Sequence, residues 1–134
     1  MIEFNNQTKI KVDQKLLKQT AEVVLKKEGK GSANVSVVLL GAKKMRELNN
    51  RYRGKDYAAN VLSFNEEEFG LGEIVLCPSV IRREAEKCGI TFREELQRLF
   101  LHGLMHLLGY DHEGKEEEAQ LMEQKEELYL SFFK

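Results

Sequence analysis

All three histidines of the chain, His102, His106 and His112, lie within a short stretch near its end. Residues four apart on a helix share one face, so the first two imidazoles are expected one turn apart. Gly109 can end that helix and turn the chain back, which brings the third imidazole toward the other two. Three neutral imidazoles with an open position are the ligand set of a catalytic zinc ion. The spacing therefore predicts a site for one Zn²⁺, although other divalent transition metals also suit imidazole ligands.

Two other interpretations of these histidines have to be weighed. A single histidine near an apolar helix face usually has an ordinary structural role in the core or at the surface. Neither packing nor capping requires three at this spacing, which favours a metal. A purely structural metal is the remaining alternative, and a fourth ligand such as Asp111 or Glu113 would be needed to close that site.

The offsets also match the metzincin protease pattern H-E-x-x-H-x-x-G-x-x-H in all but one residue. Gly103 stands where those proteases carry their glutamate general base, and glycine cannot transfer a proton. Peptide hydrolysis by that route is therefore disfavoured. A metal site can also act on a phosphodiester, where charge on the phosphoryl oxygens must be stabilised. That chemistry favours an arginine beside the metal, and the chain offers Arg51 and Arg53.

A basic segment between Lys43 and Lys55 contrasts with the acidic residues that follow residue 115. A basic patch favours a polyanion, and RNA would also bring its own nucleophile, the ribose 2′-hydroxyl. Arg51 and Lys55 are accordingly expected to contact substrate. The other interpretation is that the patch is an ordinary solvated helix face.

The composition predicts a single globular domain over residues 1–134, with 42% hydrophobic and 32% charged residues. No apolar run approaches the ~20 residues that cross a bilayer, and no signal-peptide pattern is present, so no membrane partner is expected. Cys77 and Cys88 have neither metal-binding nor redox spacing, which favours the reducing cytoplasm. Composition and spacing are silent on the oligomeric state.

The patterning of apolar residues predicts an α+β fold in which about five helices pack on a small mixed β-sheet. Strands are expected at residues 2–5, 35–40, 61–64 and 73–76, the last two forming a hairpin or meander. Helices are expected at 13–27, 42–52, 78–89 and 116–132, with a metzincin-like metal helix between its cap Thr91 and Gly109. This metal helix is apolar on most sides, which predicts a central position in the core.

The histidine segment His102-Gly-Leu-Met-His106-Leu-Leu-Gly-Tyr-Asp-His112 resembles the H-G-x-L-H-L-x-G-Y-D-H motif of the bacterial YbeY family of endoribonucleases. Further segments that are similar to the family are Leu48-Asn49, Tyr52-Arg-Gly-Lys-Asp56, Val61-Leu-Ser-Phe64 and Leu71-Gly-Glu-Ile74. The resemblance spans about residues 48–112. Two departures stand out: Ala59-Asn60 replaces the usual Thr-Asp, and Glu73 stands where aspartate is common.

The resemblance implies a zinc-dependent, single-strand-specific endoribonuclease of the cytoplasm. It implies a part in 16S rRNA 3′-end maturation and ribosome quality control, with single-stranded rRNA and the small ribosomal subunit as partners. It gives the three histidines the zinc-ligand places, gives Arg53 a catalytic role, and places Asn60 and Ser63 in the cleft. Asp111 is expected to orient His112 or a bound water, the alternative being a turn residue.

Two further functions stay open at this stage. The first is a non-catalytic RNA- or ribosome-binding module whose metal is structural. The second is a zinc hydrolase of small amide or ester substrates, which suits the metal ligands but leaves the basic segment unexplained.

Overall fold

The computed structural model describes residues 1–66, 70–111 and 114–134. These residues form four strands and five α-helices, in the order β1 (Ile2–Asn6), α1 (Gln14–Lys27), β2 (Val35–Leu39), α2 (Ala42–Arg53), β3 (Val61–Asn65), β4 (Gly72–Leu76), α3 (Pro78–Cys88), α4 (Phe92–Leu107) and α5 (Glu116–Ser131). The predicted α+β class is confirmed, and each predicted element is present with ends that differ by at most two residues.

The sheet is mixed, as expected, with the strand order β1-β2-β4-β3. β1, β2 and β4 run parallel, while β3 pairs antiparallel with β4. β2 lies in the interior of the sheet and alternates buried residues (Val35, Val37 and Leu39) with half-buried ones. The hairpin expected between the third and fourth strands is therefore present, and it places β3 at the edge of the sheet.

The helix ends follow from local capping chemistry. The Asp13 carboxylate accepts a hydrogen bond from the Leu16 backbone N–H at 3.0 Å, and the Thr91 hydroxyl accepts one from Glu94 at 3.1 Å. These bonds satisfy N–H groups that have no partner within the helix. Gly109 follows α4 with φ +100°, a backbone conformation that favours glycine, so the chain leaves the helix there.

Helix α4 is the centre of the molecule, as its apolar sequence predicted. It packs against β3 and β4 on one side and against α1, α3 and α5 on the others. Phe100, Leu101 and Leu104 are fully buried in the largest hydrophobic cluster. The backbone that carries the less buried side chains of α4 is therefore fixed by packing on most sides.

None of the helices in the described part of the chain combines the length and the apolar character needed to span a bilayer.

Candidate metal and nucleic-acid site

A cleft of about 620 Å³ opens between α4, the edge strand β3 and the end of α2. Its volume lies within the range of small-ligand sites, roughly 300–1,000 Å³. Among the described residues its walls are formed by Arg53, Asn60, Val61, Leu62, Ser63, Asn65, Arg98, Leu99, His102, Gly103, His106 and Asp111. The fold therefore brings six of the predicted site residues to a single cleft: Arg53, Asn60, Ser63, His102, His106 and Asp111.

The two helical histidines face each other across one turn of α4. The Nε2 atoms of His102 and His106 are 3.2 Å apart, and their rings are nearly perpendicular at 87°. Two nitrogen ligands of a tetrahedral zinc ion, each about 2.0–2.1 Å from the metal, lie about 3.3 Å from one another. The spacing of the two Nε2 atoms therefore fits a shared zinc ion.

The other ring nitrogen of His102 is held by Glu126, which α5 brings to the cleft. His102 Nδ1 lies 2.8 Å from Glu126 Oε1, and both side chains are largely buried. An ionised carboxylate can only accept, so Nδ1 must donate its hydrogen. In a neutral ring Nε2 then carries a lone pair rather than a hydrogen, which is the tautomer that carboxylates set in metal-binding histidines. Nothing in the local sequence indicated Glu126.

The packing around Gly103 is tight for any side chain after the first histidine. A Cβ atom at this position would lie 3.0 Å from Ser63 Oγ and 3.1 Å from methyl groups of Ile74 and Val61. Helix α4 thus lies directly on β3 and β4 at Gly103, and a side chain at this position would require these neighbours to move by a few tenths of an ångström. The Ser63 hydroxyl donates a hydrogen bond to the Gly103 carbonyl at 3.0 Å, so Ser63 lines the cleft and also ties the sheet to the helix.

Two arginines line the cleft from different elements. Arg53 is the last residue of α2, just before Gly54 in the left-handed conformation. Arg98 lies one turn before His102 on α4, and its Nε donates to the buried Glu95 carboxylate at 2.6 Å. That hydrogen bond raises the pKa of Arg98 above its usual range. The sequence prediction missed Arg98, although its i,i+4 spacing from His102 places it on the histidine face.

Asn60 lines the cleft, and both polar atoms of its side chain form hydrogen bonds. Its Oδ1 accepts from the Val61 N–H at 2.6 Å, and its Nδ2 donates to Glu84 Oε1 on α3 at 3.0 Å. An aspartate at this position could not donate and would set a second carboxylate against Glu84. Asn60, which stands where aspartate is usual in the resembled family, therefore suits the Glu84 carboxylate on α3.

The remaining predicted residues divide into three groups. Asp111 lines the cleft just beyond the end of α4. Arg51 and Lys55 are exposed and, within the described part of the chain, do not line it; in the same basic segment, Arg46 is paired with Asp56 at 2.8 Å. His112 and Glu113 lie outside the described residues.

The donor set that the structure describes accounts for part of the predicted metal site. Residues 1–66, 70–111 and 114–134 contain no group of three or more His, Cys, Asp or Glu side chains arranged to hold a metal. The histidine pair offers two nitrogen atoms at a spacing that would suit a metal, and the third predicted ligand, His112, lies outside the described residues.

The chain matches the family model described as "Endoribonuclease YbeY" over residues 2–134. It is 35% identical over 130 residues to an Endoribonuclease YbeY from Thermotoga neapolitana, an alignment that covers 97% of this chain and 87% of the relative. It is 46% identical over 97 residues to one from Bdellovibrio bacteriovorus, covering 72% of this chain and 64% of that relative. The match to that relative therefore leaves about a third of it unaligned.

The fold also matches a solved structure. The solution structure of TM1509 from Thermotoga maritima superposes with a TM-score of 0.71 and 36% sequence identity, covering 96% of this chain and 86% of that one. Sequence and fold thus agree over nearly the whole chain.

Proposed function

Because the chain belongs to the YbeY family, we propose that it is a metal-dependent endoribonuclease that cleaves single-stranded RNA. Zinc is the proposed metal, one ion per chain, held by His102, His106 and His112. The proposal extends to a role in maturing the 3′ end of 16S rRNA, to ribosome quality control with the small ribosomal subunit as partner, and to a cytoplasmic location.

The observation that carries this proposal is the histidine pair on α4. Its two Nε2 atoms stand at the spacing of adjacent zinc ligands, and the Glu126 carboxylate lies 2.8 Å from the other ring nitrogen of His102. A helix packed on most sides holds both rings, so little reorganisation is needed for binding. A divalent ion bound there would supply a Lewis acid that withdraws charge from a phosphoryl oxygen.

The two arginines of the cleft are the proposed groups that bind the phosphate and stabilise its charge during phosphodiester cleavage. Arg53 and Arg98 line the cleft from two elements, so a phosphate bound in the cleft would have two guanidinium groups available to it. Guanidinium groups match the geometry of phosphate oxygens and stay charged at any physiological pH. We assign Arg53 to stabilise the charge that develops on the phosphate, because it carries no ion pair among the described residues. Arg98 shares its charge with Glu95 and is better suited to orienting the phosphate.

Asp111 and Ser63 complete the proposed centre. Asp111 lines the cleft, and its proposed role is to orient His112 or a metal-bound water. Ser63 supports the floor of the cleft through the Gly103 carbonyl. Arg51 and Lys55 remain proposed RNA contacts outside the cleft itself, through long-range attraction to phosphates.

The test is an assay with end-labelled single-stranded and duplex RNA of the same sequence. We expect the wild-type protein to cleave only the single strand. Arg53→Ala should reduce cleavage by about 10²–10³-fold, the usual effect of removing one group that stabilises a developing oxyanion. Lys18→Ala on α1, an exposed cation outside the cleft, is the matched control and should cleave like the wild type.

Treatment with a chelator distinguishes a catalytic metal from a structural one. A structural metal belongs to the alternative function, a non-catalytic RNA-binding module. A catalytic metal predicts that chelated protein loses cleavage, keeps its helical circular-dichroism signal, and regains cleavage when zinc is restored. Loss of the helical signal together with cleavage would support the structural-metal module instead. Cleavage that persists in chelator and in His106→Ala would contradict the proposal. The product ends identify the nucleophile, because a 2′,3′-cyclic phosphate requires attack by the ribose hydroxyl.

A further inference from the structure

A second cavity, of about 450 Å³, adjoins the metal cleft. The two share Arg53 and Asn60, so Asn60 and its hydrogen bond to Glu84 lie at the boundary between them. The wall of the second cavity comes from α3 and from the segment that joins α2 to β3. A chain-like ligand that occupies the metal cleft could therefore continue into this cavity past Arg53.

The charge of the second cavity favours an anionic ligand. Its described lining carries three cations, Arg53, Arg83 and Lys87, against the single carboxylate of Glu84. Arg83 and Lys87 are four residues apart on α3 and so share a face of the helix. In the part of the chain that the structure describes, neither has a carboxylate within 4.0 Å, while Glu84 accepts from Asn60. Two cations are thus available to a phosphate.

An aromatic ring stands at the same cavity. Tyr57 lines it and is 53% exposed. Its backbone is held in place, because the fully buried Asn49 donates a hydrogen bond from Nδ2 to the Tyr57 carbonyl at 2.8 Å. An exposed ring on a fixed segment beside free cations is the combination that binds single-stranded nucleic acid by base stacking and phosphate contacts.

We propose that the second cavity is a nucleotide subsite of the cleavage centre. Arg83 and Lys87 bind the phosphate next along the RNA from the one that Arg53 and Arg98 bind, and Tyr57 stacks on the attached base. This inference rests on the proposed function and deepens it by naming where the strand continues. Stacking is tolerant of base identity, so the subsite selects for strand length and unpaired bases rather than for sequence.

The first experiment compares a ten-nucleotide single-stranded RNA with a dinucleoside monophosphate, whose scissile phosphate is its sole phosphate. For the double variant Arg83→Ala/Lys87→Ala, the ratio of kcat/KM for the long over the short substrate should fall about tenfold. Lys18→Ala/Lys26→Ala removes the same charge from exposed positions on α1 and should change that ratio less than about twofold. An equal fall on both substrates would overturn the subsite, because it would indicate general damage to the centre.

The second experiment measures binding of the ten-nucleotide RNA by fluorescence anisotropy in chelator over a range of salt concentrations. Arg83→Ala/Lys87→Ala should weaken binding and reduce the slope of log K against log salt by roughly 1. Tyr57→Ala should weaken binding about tenfold, whereas Tyr57→Phe, which keeps the ring, should bind like the wild type. Equal affinity of Tyr57→Ala and Tyr57→Phe, with no change in salt slope for the double variant, would overturn the proposal.

The two experiments also separate the subsite from the proposed function. If the wild-type protein cleaves neither substrate, the endoribonuclease proposal fails, and the anisotropy measurement alone decides whether this cavity binds RNA. If the protein cleaves both substrates and the double variant matches the α1 control in both experiments, cleavage stands and the subsite is refuted.

Discussion

At the scale of single residues, the hydrogen bond from His102 Nδ1 to Glu126 Oε1, at 2.8 Å, sets the state of the His102 imidazole. It decides which nitrogen of the imidazole carries the proton, and therefore which nitrogen can bind a metal. It also limits rotation of the ring, since His102 and Glu126 are both largely buried. A residue that touches no substrate thus controls which nitrogen of His102 is the donor.

Changing this carboxylate should weaken metal binding without removing a ligand. Glu126→Gln keeps the side-chain shape but replaces the charged acceptor, and we expect the Kd for zinc to rise about 10–100-fold. Zinc affinity is measured by competition with a chromophoric chelator, with circular dichroism to establish that the variant is folded. The neighbouring Glu127→Gln is exposed and should bind zinc like the wild type. Equal affinities of the two variants would contradict the orienting role of Glu126.

At the scale of elements, the position of Glu126 depends on how α5 is attached to the rest of the molecule. Glu28, at the end of α1, has a side chain that is 10% exposed and accepts hydrogen bonds from Lys125 at 3.0 Å, Tyr110 at 2.6 Å and Tyr129. Lys125 and Tyr129 belong to α5, and Tyr110 to the segment that leads to His112. One carboxylate therefore links the end of α1, α5 and the segment that follows α4.

The contribution of this cluster to the stability of the fold depends on pH. Burial disfavours the ionised carboxylate, but the hydrogen bonds from Tyr110, Tyr129 and Lys125 outweigh it and hold the pKa of Glu28 below 4.5. Burial, and then the hydrogen bond to Glu28, raises the pKa of Tyr129 to about 12. The Glu28 contribution to stability is thus complete above about pH 4.5 and is lost as the pH falls through the folded-state pKa. The Tyr129 contribution is complete below about pH 10 and is lost as the pH rises toward 12.

Glu28→Gln should therefore destabilise the protein in a pH-dependent way. At pH 7 we expect the free energy of unfolding to fall by about 3 kcal/mol, because charge-assisted hydrogen bonds are replaced by a neutral amide. The difference from the wild type should shrink as the pH is lowered below about 4.5, where the wild-type carboxylate becomes protonated. Urea unfolding across this pH range measures it. Glu22→Gln, exposed on the same helix, should stay within about 0.5 kcal/mol of the wild type, and a pH-independent deficit for Glu28→Gln would contradict the argument.

At the scale of the whole molecule, α4 joins the core to the site. It carries the histidine pair and Arg98 on the cleft side, while its other faces are buried against the sheet and three helices. Gly103 lets it lie close enough to β3 and β4 for Ser63 to reach the helix backbone. A ligand bound by the histidines would therefore be attached to the helix that contacts two strands and three other helices.

Because the metal is proposed to bind only the folded protein, zinc should stabilise it. At a free zinc concentration about 100 times the Kd, the added stability is about 2.7 kcal/mol, and Tm should rise by roughly 10 °C. Differential scanning calorimetry with and without zinc measures this shift. His106→Ala should lose the shift, while Cys88→Ser, which removes an exposed free thiol, should keep it. The same shift in His106→Ala would show that zinc binds elsewhere.

Features that depend on residues close together in the chain were predictable from the amino-acid sequence. The i,i+4 spacing of His102 and His106, the cap at Thr91 and the exit at Gly109 each depend on a few neighbouring residues, and the structure confirms the helix that they define. The alternating and helical patterns likewise placed every element, because each pattern reflects which face of its own segment is buried.

Tertiary structure alone decided which distant side chains meet. Glu126 lies 24 residues from His102, and Glu28 lies 82 residues from Tyr110 and 101 from Tyr129, separations over which no local pattern carries information. The packing of α2 brings Arg53 to the described lining of the cleft, whereas Arg51 on the same helix and Lys55 just after it do not line it. The residues of one or two turns determine which face of a helix is buried. Which other elements that face contacts follows only from how all the elements pack together.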